Sequence, residues 1–288
     1  DYREELEKKI IEIDKKFKPD MWITDTGNIL SSLKLKSIKS TFKHSVPYKK
    51  YFLQKNIFDY DYVFIPGNYH LDRIRSYYHK NIDELNKKLI ITISPKILPY
   101  IILKKEIMNK KKVFQNLNLE NNRNTIVLAT THNSFNSSRI LPENFGPELG
   151  ALTKISEIIT KKYQFNLIIK PHHYHFNKFD KNEYSNLIRQ KNISIFKPNK
   201  HFDSLDSEIL FFNSDIIITD TSGVASTCSY LDKKLIYLNP DNQDWENCDI
   251  EKNLRPGFVI NSINELDQSI KKYLEFPDLF SKERSEFR

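Results

Sequence analysis

Three short polar clusters contain the residue types that could do chemistry, and each follows a predicted strand. The clearest is Thr219-Asp220-Thr221-Ser222-Gly223, between an apolar run and a predicted helix. Hydroxyls and a small residue at a helix N-terminus leave backbone N–H groups and the positive end of the dipole free to bind a diphosphate. The ordinary alternative is N-capping by Thr221 or Ser222, worth about 1 kcal/mol and compatible with anion binding.

The second cluster is Lys170-Pro171-His172-His173-Tyr174-His175, directly after another apolar run. An imidazole here could donate to a phosphate oxygen or act on a leaving group. Positions 172, 173 and 175 lack the helix or strand spacing that would bring three imidazoles together, and no carboxylate cluster adjoins them. We therefore predict no metal site, and surface histidines on a polar loop remain the simpler interpretation.

The third cluster is the basic segment Lys43-His44-Ser45-Val46-Pro47-Tyr48-Lys49-Lys50. The neighbouring cations disfavour the charged imidazole, which would keep His44 a neutral base near pH 7. Taken alone, the segment is equally typical of a basic surface loop, and that interpretation is the simpler one.

Composition and absent motifs exclude several classes of protein. The 288 residues carry a formal charge of +8 and are 39% hydrophobic and 12% aromatic, which excludes a wholly disordered chain. None of the six glycines forms a dinucleotide fingerprint or a P-loop, and no H-E-x-x-H, C-x-x-C or G-x-S-x-G is present. The two cysteines, Cys228 and Cys248, form neither a disulfide framework nor a zinc spacing. We read no export signal in the charged first residues and expect a cytoplasmic protein without a membrane-spanning helix.

Apolar runs that alternate with helical segments predict an α/β fold of doubly wound parallel sheets. A stretch rich in Lys and Asn, residues 104–124, suggests a boundary between a first domain, 1–115, and a second, 116–288. Two such sheets would face each other across a cleft, with the ligand at the carboxyl ends of the strands. The predicted strands are 21–25, 37–41, 60–65, 89–93, 125–130, 166–170, 193–196, 215–220 and 234–238.

Taken in order, the three clusters resemble the motifs of the CDP-glycerol glycerophosphotransferase family, the primases and polymerases of teichoic acids and related capsule polymers. The family pattern H-G-T-P-x-K is similar to the segment from His44 to Lys49, and K-x-H-P is similar to the segment from Lys170 to His173. The pattern I-T-D-Y-S-S is similar to Ile218 to Gly223. The similarity extends over about residues 38–275 and includes the late Pro256-Gly257 segment.

The resemblance implies a GT-B fold, two Rossmann-like domains with a CDP-type donor held mainly by the second. It implies His44 as the base that takes a proton from the acceptor hydroxyl, and His172 as a second catalytic residue at the donor diphosphate. No cofactor or metal is expected beyond the nucleotide-activated donor. The residues expected to bind the donor are Lys170, Thr219, Asp220, Thr221, Ser222, Gly223 and Arg139, and those expected on the acceptor side are Lys49 and Asp25.

The acceptor implied by the resemblance is a phosphate-rich or glycan precursor of a surface polymer. If that acceptor is lipid-linked, the enzyme works at the inner face of the membrane, and basic segments such as Lys110-Lys111-Lys112 would contact anionic lipid. A solvated linker is an equal alternative for those lysines. No nucleic-acid partner is expected.

The sequence departs from the family pattern mostly around the donor site, and this keeps two further classes open. Thr221 and Gly223 replace the family's Tyr and second Ser, and the arginine nearest to the family's A-P-T-x-R segment is Arg139. T-D-x-S-G is also similar to nucleotide-sugar enzymes of the same fold, including UDP-N-acetylglucosamine 2-epimerases, for which Asp25, Asp220 and Glu143 are candidate carboxylates. A non-catalytic binding module is the third possibility. Tyrosines interleaved with lysines, such as Tyr77 and Tyr78, would suit stacking on bases.

Overall fold

The structure is a computed structural model, and its described residues form two compact units. Those up to Ile93 belong to the first unit and those from Leu98 onward to the second. The described residues are 2–24, 29–42, 55–93, 98, 110–130, 141, 145, 147–172, 175, 184–196, 208–220, 224–238 and 256–287.

The first unit is a four-stranded parallel sheet in the order β1-β2-β3-β4. Its strands are β1 (Met21–Thr24), β2 (Ile38–Phe42), β3 (Tyr62–Ile65) and β4 (Leu89–Ile91). Its helices are α1 (Tyr2–Phe17), α2 (Asn68–Tyr77) and α3 (Ile82–Asn86), with short 3₁₀ turns at Lys55–Asp59 and His79–Asn81.

The core of the first unit lies on one face of this sheet. Val63 and Ile65 of β3 are fully buried there against Ile10 of α1, Ile74 of α2 and Leu85 of α3. Leu6, Ile10 and Ile11 of α1 pack against this core, whereas Ile13 and Phe17 of the same helix are exposed.

Asp14 ties α1 to the sheet that follows it. Its carboxylate accepts hydrogen bonds from the indole Nε1 of Trp22 at 3.0 Å, the backbone N of Lys36 at 2.9 Å and the hydroxyl of Ser37. The hydrogen bonds from Ser37 and Lys36 lower the pKa of Asp14 to about 2. Only 3% of Asp14 is exposed, so one carboxylate joins the helix, β1 and the start of β2.

The second unit is a six-stranded, wholly parallel sheet in the order β10-β9-β8-β5-β6-β7. Its strands are β5 (Thr125–Ala129), β6 (Asn166–Lys170), β7 (Ile193–Ile195), β8 (Ile216–Thr219), β9 (Lys234–Leu238) and β10 (Gly257–Ile260). Its helices are α4 (Lys110–Asn116), α5 (Glu148–Ser156, continued as a π-helix over Glu157–Lys162), α6 (Ser185–Ile188), α7 (Glu208–Asn213), α8 (Val224–Tyr230), α9 (Asn264–Glu275) and α10 (Ser281–Phe287).

The second sheet has helices on both faces, as the sequence predicts for a doubly wound fold. Alternate residues of its strands point into two separate apolar clusters. One contains Leu152 of α5 and Ile270 of α9, and the other contains Phe114 of α4, Phe211 of α7 and Cys228 of α8. The predicted class, an α/β fold with two parallel-sheet domains, is confirmed.

The division between the units precedes the boundary expected after residue 115. Val113 and Phe114 of α4 are 3% and 0% exposed and pack in the second unit's core. The lysines at the start of α4 give this segment the composition of a linker, while its last turn supplies apolar side chains to the sheet.

Strand β10 depends on a glycine. A Cβ at Gly257 would lie 2.2 Å from the carbonyl oxygen of Leu235, its register partner on β9. A side chain at this position would therefore push β10 away from the sheet, which explains the glycine in the Pro256-Gly257 segment.

We predict that Asp14→Asn lowers the melting temperature of the protein at pH 7. The asparagine has one acceptor oxygen in place of two and lacks the charge that strengthens these hydrogen bonds. Because the folded pKa of Asp14 is below its unfolded value of 3.8, its contribution is present above about pH 4 and is lost as the pH falls towards 2. Thermal unfolding of both proteins should therefore show a difference that shrinks over this range. Asp83→Asn, at an exposed position, is the matched control, and a difference that does not change with pH would contradict the assignment.

Candidate functional site

The strand order of the second sheet reverses direction between β5 and β8. Read from β7 the order is 3-2-1-4-5-6 in chain order, with β5 beginning the first half and β8 the second. Connections to either side of such a reversal leave in opposite directions, so a crevice opens at the carboxyl ends of the two central strands. The candidate site is therefore the carboxyl edge of β6, β5 and β8.

Three polar or small residues stand in one row across this edge. Ala129 ends β5 and is in register with Lys170 of β6 on one side and with Thr219 of β8 on the other. Neighbouring strands are about 4.8 Å apart, so the Lys170 and Thr219 backbones are about 10 Å apart. Residues in register point to the same face of a sheet, and this is the face of the cluster that contains Ala129, Ile168 and Ile217.

Thr219 fixes the two central strands to each other. Its hydroxyl donates to the carbonyl oxygen of Ala129 at 2.7 Å, and both residues are 0% exposed. The hydroxyl is therefore used inside the sheet. The donor-binding role expected for Thr219 stays a prediction.

Buried polar residues follow the two central strands. Thr130, after β5, is 4% exposed, and Asp220, after β8, is 1% exposed. Both make polar interactions with other parts of the chain. A buried carboxylate is stable only with such partners, so Asp220 is held by its surroundings.

The segment after β6 presents one of the predicted histidines at the edge. Pro171 is buried and His172 half-buried, and the carbonyl oxygen of His172 accepts a hydrogen bond from the backbone N of His175 at 2.8 Å. This turn brings the chain back on itself directly after Lys170. Lys170 and His172 therefore both lie at the carboxyl end of β6, and their expected roles at a donor site stay predictions.

Glu208 is a site candidate that the sequence analysis missed. It is the first residue of α7, and only 5% of it is exposed. A single glutamate in a short helix is typically solvent-facing, and no pattern in the sequence marks this one as buried. Its burial depends on the packing of Ile209, Leu210 and Phe211 behind it.

Cys228 of α8 lies in the same apolar cluster as Ile209, Leu210 and Phe211, and it is not a nucleophile. Burial raises the pKa of its thiol well above the usual range, Glu208 raises it further, and the cations of Lys233 and Lys170 oppose the shift. The thiol is 0% exposed and stays protonated, so it packs as a small apolar group.

Several expected site residues lie outside the described residues. They are His44, Lys49, Asp25, Arg139, Thr221, Ser222 and Gly223. Their roles stay predictions. Among the described residues, no group of three His, Cys, Asp or Glu side chains could hold a metal ion.

Two further expectations from the sequence concern base stacking by tyrosines and the lack of a membrane-spanning helix. Tyr78, one of the tyrosines considered for base stacking, is 9% exposed and packs edge-on against Phe58 at 5.2 Å between ring centroids. It is a core residue and is not available to bases. No helix in the described part of the chain is both long and apolar enough to cross a bilayer.

Comparison with known proteins adds evidence on the fold. No protein-family model matches the chain, and no curated protein sequence matches it. The wall teichoic acid polymerase TagF matches with a TM-score of 0.60 and 16% identity, over 93% of this chain and 67% of TagF. The UDP-GlcNAc 2-epimerase of Neisseria meningitidis bound to UDP-GlcNAc matches with a TM-score of 0.66 and 17% identity, over 98% of this chain and 75% of the epimerase.

A third solved structure, a putative UDP-N-acetylglucosamine 2-epimerase from Listeria monocytogenes, has a TM-score of 0.68 at 12% identity. The match covers 98% of this chain and 72% of the Listeria monocytogenes chain. At these identities the likeness establishes the fold alone. The chain therefore has the GT-B fold, with two parallel-sheet domains.

We predict that Thr219→Val destabilises the second unit by about 1–2 kcal/mol, because a buried carbonyl loses a hydrogen-bond donor. Valine keeps the shape of threonine, so packing changes little. Urea unfolding of the variant and of Thr219→Ser, which keeps the hydroxyl, isolates the hydrogen bond. Equal destabilisation by both substitutions would contradict the role of the hydroxyl.

Proposed function

We propose that this protein is a transferase that binds a nucleotide-activated donor at the carboxyl edge of the second sheet. It moves a phospho-polyol or sugar group from that donor to a precursor of a cell-surface polymer. The observation that supports this most is the row of Lys170, Ala129 and Thr219 at the reversal of strand order. In open α/β sheets such a reversal is where nucleotides bind.

The charges at this edge suit a diphosphate. Lys170 supplies a cation and His172 an imidazole at the end of β6, and both can donate to phosphate oxygens. Ala129, which ends the central strand between Lys170 and Thr219, is fully buried. The segment Thr221-Ser222-Gly223 would add hydroxyls and backbone N–H groups directly after β8.

In the proposed reaction His44 removes the proton from an acceptor hydroxyl. For a phospho-polyol donor of the CDP type, that oxygen bonds to the phosphorus that carries the polyol, and the bond from this phosphorus to the CMP oxygen breaks. Lys170 and His172 stabilise the negative charge that develops on the departing CMP. These side chains supply the charge neutralisation, and the proposal includes no cofactor or metal.

The resemblance in motif order is what favours a CDP-type donor over other nucleotides. His44 to Lys49, Lys170 to His173 and Ile218 to Gly223 follow one another as in the glycerophosphotransferase family. The similarity in fold to the teichoic acid polymerase TagF also favours a CDP-type donor. The acceptor would be a phosphate-rich or glycan chain, and with a lipid-linked acceptor the protein would work in the cytoplasm at the inner face of the membrane.

A second candidate function is a nucleotide-sugar enzyme, either a glycosyltransferase or an enzyme like the UDP-GlcNAc 2-epimerases. Two epimerase structures match over 98% of this chain, against 93% for TagF. Asp220, buried beside Thr219, is the described carboxylate that such a reaction could use. Asp25 and Glu143 lie outside the described residues.

We predict that CDP or CDP-glycerol raises the melting temperature of the protein. A ligand at 100 times its dissociation constant adds about 2.7 kcal/mol of stability. A thermal-shift screen of CDP, UDP, GDP, CMP and CDP-glycerol tests this, and Lys170→Met should abolish most of the shift. Lys154→Met removes the same charge from an exposed position of α5 and should leave the shift unchanged. A response to UDP species alone would favour the nucleotide-sugar enzyme, and no response to any nucleotide would contradict the donor site.

We predict that His44→Ala abolishes transfer and leaves donor affinity within about twofold, because the base contacts the acceptor and not the donor. The measurement is CMP release from CDP-glycerol in the presence of a polyol-phosphate acceptor, beside calorimetric binding of CDP. His79→Ala, at an exposed position of the first unit, is the control. Loss of donor binding together with activity would contradict this division of roles.

A further inference from the structure

Arg284 of α10 is a buried cation that has no role in the proposed reaction. The residue is 4% exposed. Its guanidinium donates from Nε to the carboxylate of Asp232 at 2.7 Å and from Nη1 to the carbonyl oxygen of Leu279 at 3.0 Å. Asp232 follows α8, and Leu279 precedes α10. One side chain therefore joins the last helix to a residue 52 positions earlier in the chain.

The backbone conformation at Asp232 does not favour an aspartate. Its φ is 58°, in the left-handed region. The backbone N of Lys233 donates to the carbonyl oxygen of Cys228 at 2.9 Å, and that of Asp232 donates to Ser229 at 3.1 Å, as in a Schellman motif. Glycine is the usual left-handed residue of this motif, because it has no Cβ to crowd the backbone. The helix end therefore does not account for the carboxylate, whereas the ion pair with Arg284 does.

The segment before α10 is held on the other face of the second sheet. Phe280 also has a left-handed backbone, with a φ of 63°. Its ring packs edge-on against Phe258 of β10 at 5.1 Å between centroids and lies 6.2 Å from the ring of Tyr273 of α9. These rings belong to one apolar cluster of the sheet, and α8 packs in the other. The chain from Phe280 to Arg284 therefore passes from one face of the sheet to the other.

This passage lies at the amino end of β9. Asp232 directly precedes Lys233 and Lys234, the second of which begins β9. The ammonium of Lys234 donates to the carbonyl oxygen of Tyr273 in α9 at 3.2 Å. Burial lowers the pKa of Lys234, and the nearby cation of Arg284 lowers it further. Together with the packing of α10 against α8, these contacts connect α8, β9 and α9 at one edge of the sheet.

We infer that α10 is a strap that holds α8 against the second sheet, with the ion pair between Arg284 and Asp232 as its attachment. This part stands on the contacts alone. Since α8 has only seven residues and follows the segment after β8, its last turn and that segment move together. Arg284 is therefore also a positioning residue for the carboxyl edge of β8. This second part rests on the proposed function.

Glycine at position 232 tests the attachment by the sign of its effect. In the unaltered protein Asp232→Gly removes the ion pair and should destabilise the second unit, although glycine suits the left-handed backbone. In an Arg284→Met background no ion pair is left to lose. The same substitution should then be neutral or stabilising, because it relieves the left-handed conformation.

A double-mutant cycle measures this coupling by urea unfolding without ligand. Asp232→Gly, Arg284→Met and the double variant are compared with the unaltered protein. The two substitutions should be coupled by about threefold or more in the unfolding equilibrium constant. Lys271→Met and Glu275→Gln, which separate an ion pair of α9 whose side chains are 66% and 49% exposed, form the control cycle and should be nearly additive. Additive effects of Asp232→Gly and Arg284→Met would overturn the attachment.

The second readout uses Asp232→Gly alone, at a half-exposed position, so that it remains decisive if Arg284→Met does not fold. Hydrogen–deuterium exchange of peptides from α8 and α10 should be severalfold faster than in the unaltered protein, and calorimetric binding of CDP should weaken severalfold. Lys271→Met should change neither. Unchanged exchange in α8 would overturn the strap, and faster exchange with unchanged CDP affinity would overturn the positioning role. If the unaltered protein does not bind CDP, the proposed donor site fails, while exchange and the unfolding cycle still decide the strap.

Discussion

The parallel register of β6, β5 and β8 is the constraint on which the candidate site depends. It places the ends of three strands level, with Ala129 between Lys170 and Thr219. The hydroxyl of Thr219 reinforces this arrangement from within, through its hydrogen bond to the carbonyl of Ala129. A shift of one residue in β6 would turn Lys170 to the opposite face, and the same shift in β8 would turn Thr219. The positions of the side chains at this edge therefore depend on the register of the three strands.

The opposite edge of the second sheet carries the interactions that hold this register. The backbone N of Thr125, at the start of β5, donates to the carboxylate of Asp215 at 2.7 Å, immediately before β8. Glu120 accepts from Arg123 at 2.7 Å and Lys191 at 2.8 Å, and these hydrogen bonds lower its pKa to about 2. The carboxylates of Asp215 and Glu120 at the amino edge thus have their partners within the protein. This division suits a fold in which one edge stabilises the sheet and the other binds ligand.

The second sheet was largely predictable because most residues of its strands β5 to β9 are buried. β6 is predicted and observed over the same residues, 166–170, since a continuous apolar run ends at Pro171. β5, β7, β8 and β9 agree to within one residue at each end. The placement of Lys170, Thr219 and Asp220 at strand ends followed from the same runs. Which strands are neighbours could not be predicted in this way, because the contact of Thr125 with Asp215 spans 90 residues.

What the sequence did not reveal depends on tertiary packing. Glu208 begins a short helix, and nothing in its neighbours in the sequence distinguishes it from an exposed glutamate. β10 escaped prediction because it begins with Pro256-Gly257, a pair typical of turns, and only the close approach to Leu235 explains the glycine. α4 looked like a linker because its lysines outnumber Val113 and Phe114, the two residues that pack.

In the proposed function, a nucleotide-activated donor binds at the carboxyl edge of the second sheet. Hydrogen–deuterium exchange of the whole chain, with and without saturating CDP, tests it most directly, because it locates the bound ligand without any substitution. We expect slower exchange in peptides that cover the residues after β5, β6 and β8, including His172 and Asp220, and unchanged exchange at the amino edge around Glu120. Protection confined to the first unit, or to the amino edge of the second sheet, would contradict it.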